Sequence, residues 1–194
     1  MNLLVSRSIA LVALLCTPLL AQAHPGHAET TGLALGLGQG LGHPIGGLDH
    51  LLAMLAVGLW ASQLGGSARW LMPVLFVAFM LVGAGLGMNG FALPMVEQGI
   101  VASVVVLGLL LLWAKRLPLA AGATLVTAFA MLHGLAHGAE MPVSSNAMLY
   151  MAGFAVSTAL LHLAGMGAGA WRSGMLSRFI GAAIAVAGVG LALA

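Results

Sequence analysis

Six apolar stretches follow one another along the chain, separated by short turns rich in Gly, Ser, Asn, Lys and Arg. They run at about 31–62, 70–88, 95–114, 118–139, 146–170 and 176–194. None alternates as a half-buried strand would, and stretches two to six are near the ~20 residues that an α-helix needs to cross a bilayer. The pattern predicts an all-α fold, an integral membrane bundle of six transmembrane helices. The first stretch is too long for one straight span. At 1.5 Å per residue it would reach roughly 48 Å, against a hydrocarbon core of ~30 Å. Pro44, Gly46 and Gly47 lie near its middle, so the expectation is a helix broken near His43-Pro44. Gly32, Gly36 and Gly40 recur at every fourth position, which puts small residues on one face and predicts a tightly packed helical arm before the break.

The stretch ahead of these, residues 1–23, reads as a cleaved signal peptide: Arg7, an apolar core at 9–15, and Ala21-Gln22-Ala23 as an A-x-A cleavage site. The other reading is an uncleaved first helix. Residues 24–194 then form one six-helix transmembrane domain. Composition agrees. Charged residues make up 5% of the chain, hydrophobic residues 61%, and the mean hydropathy is +1.11. So few charges exclude a water-soluble enzyme, a disordered chain and a nucleic-acid binder, and they make the lipid bilayer the chain's main partner.

Charge placement orients the bundle. Arg69, Lys115, Arg116, Arg172 and Arg178 all fall in or beside the turns after spans one, three and five. The positive-inside rule puts those turns in the cytoplasm and the mature N-terminus in the periplasm of a bacterial inner membrane. Glu97 and Glu140 then lie at outer ends of spans.

An ionisable group within a span costs ~2.5–3.5 kcal/mol near the helix centre on insertion scales, so the few present carry the chemistry. His43, Asp49 and His50 surround the expected break. Imidazoles beside a carboxylate suit a borderline divalent metal; the same residues also fit a plain helix start, with Pro44 at N1 and Asp49 complementing the dipole. His133, His137 and Glu140 follow at i, i+4 and i+7, one stripe of a helix, and form an N,N,O set or a pair of interfacial histidines. His162, four residues after Thr158, is either a deeper ligand or a packing residue. Glu97 lies at the outer mouth or among headgroups. His24 and His27, next to the expected new N-terminus, offer metal capture or belong to a plain tail. The lone Cys16 cannot form an internal disulfide, the 12 methionines show no repeating pair, and no Walker A motif is present.

The run His43-Pro44-x-x-Gly47-x-Asp49-His50-x-Leu52-Ala53-Met54-x-Ala56-Val57-Gly58-x-Trp60 resembles the signature of the HupE/UreJ family of nickel/cobalt permeases. The likeness continues through His133-Gly134-x-Ala136-His137-Gly138-x-Glu140 and from Gly153-Phe154 to His162. It implies secondary uptake of Ni²⁺ or Co²⁺ as transported substrate, with no resident cofactor and no enzymatic activity. Two rivals remain on the residues alone: an intramembrane zinc hydrolase, and a membrane haem protein with histidine axial ligands. Gly83-Ala84-Gly85-Leu86-Gly87 packs helices either within one chain or between chains, which leaves the oligomeric state open. Three spans per half would make the halves inverted, as in repeat-built transporters.

Overall fold

The computed structural model describes residues 32–141, 146–170 and 174–194, with only the backbone for 32–35. The expected signal peptide, His24, His27 and Arg172 lie outside the described residues. Among those described the chain is all-helical: α1 Gly32–Gly46, α2 Leu48–Leu64, α3 Ala68–Met88, α4 Val96–Leu112, α5 Leu119–Ala139, α6 Ala147–Ala170 and α7 Gly174–Leu193. Four of these, α3, α5, α6 and α7, are each long and apolar enough to cross a membrane. The pair α1 and α2 passes the same test jointly, bent by 82°. Helix α4 is apolar but shorter. This is a multi-pass membrane protein.

The break in the first stretch falls at Gly47, not at His43-Pro44. Pro44 sits inside the last turn of α1. It removes one intrahelical hydrogen bond, yet the helix runs on to Gly46. The chain turns where Gly47 becomes extended, at φ −101° and ψ 124°. Any residue can adopt those angles. What demands glycine is space: a Cβ there would stand 2.8 Å from Asp49 Oδ1 and 2.9 Å from His50 Nδ1.

Three pairings dominate the packing: α1 and α2 against α6, α3 against α5, and α4 against α7. Each is closed by glycines. A side chain at Gly58 would meet the His162 backbone, one at Gly138 the Ala84 carbonyl, and one at Gly108 the Ala185 backbone. Helices without a hydrophobic drive to associate approach through such small residues. Counting α1 and α2 as one unit, exchange of the first three units with the last three returns the same pairings. That is the pattern an inverted repeat requires.

Among the described residues, Arg69, Lys115 and Arg116 share one end. Trp60 Nε1–H donates to the Lys115 carbonyl at 3.1 Å, tying α2 to the α4–α5 turn. Gly122 packs on the Trp60 ring and Gly169 on Ser62. Arg69, Lys115 and Arg116 therefore lie at this end, while the α1–α2 break and Glu140 lie at the other. Between them a buried apolar core of Met54, Val57, Trp60, Met72, Phe76, Leu107 and Val126 fills the bundle.

Candidate metal site

The C-terminal half of α5 supplies one wall of the site. His133 and His137 are one turn apart, and both are fully buried. Gly134 and Gly138, the residues after them, allow α3 to approach: a Cβ at Gly134 would strike the Met80 carbonyl. His133 Nδ1–H donates to the Phe129 carbonyl at 2.8 Å. This fixes the tautomer and leaves Nε2 with a free lone pair. Glu140 caps the same helix and is half-exposed.

The break between α1 and α2 supplies the opposite wall. The Asp49 carboxylate accepts from His50 Nδ1–H at 2.7 Å and from the His50 backbone N–H at 2.8 Å. His50 therefore also presents Nε2, buried and without a protein partner. His43, in the last turn of α1, donates from Nε2 to Glu140 Oε2 at 3.2 Å.

These residues, 83 or more positions apart across the two walls, converge ring against ring. The centroids of His43 and His137 are 4.5 Å apart, those of His50 and His137 4.2 Å, and those of His50 and His133 5.1 Å. Four imidazoles thus form a continuous chain from the mouth inward. Ligand atoms of His43, His137 and Glu140 all lie within 4.8 Å of one another. The Nε2 atoms of His50 and His133 and both ring nitrogens of His137 have no hydrogen-bond partner. Buried polar atoms are almost always bonded, so neighbouring rings that each carry an unbonded nitrogen mark a site for something else.

Asp49 stands behind His50, as carboxylates do behind metal-binding histidines, while its own place in the expected ligand set is one step removed. His162 lies deeper, with Phe76 between it and His133: the Phe76 ring is 5.4 Å from His133 and 5.1 Å from His162. Glu97 is not brought to the cluster. It is exposed in the first turn of α4, beside Gln98, Leu191 and Ala192.

Three aromatic residues complete the walls; of these only Phe154 stands in a motif that the sequence offered, and there without a role. Phe154 packs edge-on to His137 at 4.1 Å, Tyr150 lies 5.8 Å from His43, and Phe76 closes the inner side. Tyr150 is the chain's single tyrosine, and its buried hydroxyl has no partner. That singularity was the one signal available for Tyr150.

Comparison with known proteins gives a match over nearly the whole chain. The family model described as HupE / UreJ protein matches residues 12–191. The chain is 45% identical over 191 residues to Protein HupE of Rhizobium leguminosarum bv. viciae, covering 96% of this chain and 97% of that one. No solved structure matches.

Proposed function

The chain belongs to the HupE/UreJ family, and from that premise we propose that it carries a divalent transition-metal cation, Ni²⁺ or Co²⁺, inward across the bacterial inner membrane. The family is a transporter family, related to nickel and cobalt transport, rather than a family of enzymes. One observation carries the reading: buried imidazoles with unbonded nitrogens, His50, His133 and His137, meet His43 and Glu140 in one continuous cluster.

The bent α1–α2 pair serves as the first of six spans and α4 as the third. At 17 residues, α4 reaches the lower limit of spanning length, ~17 residues. The cation-bearing end is cytoplasmic by the positive-inside rule, and the break and Glu140 face the periplasm, as does the mature N-terminus. His24 and His27 belong to the capture step outside.

A hydrated ion meets Glu140 and His43 first. Binding displaces the proton that joins them, and His137 completes the outer set. Passing the ion to His50 and His133 exchanges one imidazole at a time, so no position holds it tightly enough to stop it. Imidazole nitrogens favour Ni²⁺, Co²⁺ and Zn²⁺ over Mg²⁺ and Ca²⁺, which take oxygen ligands. Asp49 and Glu140 supply two negative charges against the ion's two positive ones. A potential of 100 mV, inside negative, contributes about 4.6 kcal/mol to the entry of a divalent ion, twice the ~2.3 per charge. Neither rival gains an observation. Rings in mutual contact leave no plane between them for a porphyrin.

The test is accumulation of ⁶³Ni and ⁵⁷Co by cells or proteoliposomes. His50→Ala and His137→Ala are expected to abolish it while the protein still inserts. Wild-type accumulation by both variants refutes the reading.

A further inference from the structure

Outside the cluster, one titratable side chain among the described residues of the bundle interior has no hydrogen-bond partner. His162 on α6 is 1% exposed, and neither of its ring nitrogens has a hydrogen-bond partner. Its neighbours do not use it. The Thr158 hydroxyl, one turn earlier on the same helix, donates instead to Met80 Sδ at 3.6 Å. The α2 backbone is held against His162 by Gly58, where a Cβ would collide with the His162 carbonyl. A leucine would fill such a place at lower cost, because an unbonded imidazole pays desolvation and gains no bond.

Its depth sets it apart from the outer rings. His50 and His133 are each 14 residues from the cation-bearing ends of α2 and α5, about 21 Å at 1.5 Å per residue. Phe76 and His162 are each eight residues from the same end of α3 and α6, about 12 Å. Two independent pairs of helices thus give two levels, about 9 Å apart along the bundle. The Phe76 ring, carried at the inner level, is edge-on to both His133 and His162 and so links the two levels. Met80 and Thr158, each 12 residues or about 18 Å from those ends, stand at a depth between the two levels and bring a thioether and a hydroxyl together; the thioether is a donor that a borderline cation accepts beside an imidazole and that Mg²⁺ does not favour.

We propose that His162 is a second, inner station for the transported cation, entered from the outer cluster past Phe76. The inference rests on the transport reading above and adds to it a residue, a partition and an order of events. The ion leaves His50 and His133, crosses the edge of Phe76 and is received by an imidazole already stripped of competing bonds. Two weak stations in series allow net passage where one strong station would retain the ion.

The test uses the full-length protein in nanodiscs, titrated with Co²⁺, and in proteoliposomes holding a Co²⁺-quenched dye. His162→Leu is expected to keep the outer-cluster Co²⁺ titration within about two-fold, to melt at a higher temperature, and to slow influx by about ten-fold or more. His162→Cys restores a metal ligand; influx returns and competition shifts toward Cd²⁺. In a Phe76→Ala background the partition is gone, and the loss caused by His162→Leu shrinks to about two-fold. Influx through His162→Leu at the wild-type rate overturns the proposal. So does a His162→Cys variant as slow as His162→Leu, and an undiminished loss in the Phe76→Ala background removes the partition. If the wild-type protein neither binds nor carries Co²⁺, it is the transport reading that falls, and this one with it. A wild type that does both, beside an unaffected His162→Leu, removes the inner station alone.

Discussion

Replacing Asp49 by asparagine separates two roles that a carboxylate can play beside a metal site. Oδ1 of Asp49 accepts two hydrogen bonds, from the His50 ring at 2.7 Å and from the His50 backbone at 2.8 Å. The Asn amide oxygen can accept both at the same lengths, so the geometry survives Asp49→Asn. What changes is charge. Two charge-assisted bonds become two neutral ones, a loss of about 1 kcal/mol each. The His50 ring also becomes a poorer electron donor at Nε2. Outer partners of this kind are worth about 10- to 100-fold in metal affinity, or about 1.4–2.8 kcal/mol. His50→Ala removes the ligand atom itself and is expected to cost more. Isothermal titration with Ni²⁺ on purified wild type, Asp49→Asn and His50→Ala measures all three on one scale. An Asp49→Asn loss as large as that of His50→Ala refutes the argument, since Asp49 would then be a direct ligand. Unchanged affinity refutes it from the other side.

Metal uptake is expected to fall as external pH is lowered from 7 to 5. A coordinated imidazole must give up a proton, and the ordinary imidazole range centres near 6.5, so acid favours the protonated ring over the metal-bound one; initial ⁵⁷Co uptake at fixed membrane potential measures this, and flat or rising uptake contradicts it. Gly138→Ala puts a methyl onto the Ala84 carbonyl and is expected to destabilise the bundle by about 1–3 kcal/mol, whereas Gly85→Ala, with nothing within 4 Å of the new methyl, is expected to be neutral or slightly stabilising. Melting temperatures in detergent distinguish the two.

The site was legible in the sequence where it obeys helical geometry. His133, His137 and Glu140 share a stripe because 3.6 residues make a turn, and the structure keeps them on one face. The broken first helix followed from length alone. Its position did not, because Pro44 removes a single hydrogen bond, while the turn is fixed by the contact of the Asp49–His50 pair with Gly47, a distance no spacing rule contains. Phe76 and Tyr150 were invisible for a related reason, and Phe154 was visible as part of a motif but not as a neighbour of His137. An aromatic residue in an apolar helix carries no mark of which neighbour it will touch. Glu97 was conspicuous as a charge, but its distance from the histidines depends on where α4 packs, against α7 rather than beside the α1–α2 break.

The glycine-lined pairings have a consequence for how the chain is made. Each joins a helix of the first half to one of the second, so the translocon receives α1 to α4 before any of their main partners exists. The α3–α5 seam is the first that can close, and its closing delivers His133 and His137 to the waiting break. The α4–α7 seam closes last. Throughout that interval the small-residue faces of a nascent chain lie open to lipid and to stray helices, so the same close approach that shapes the ion path makes its assembly dependent on prompt completion of synthesis.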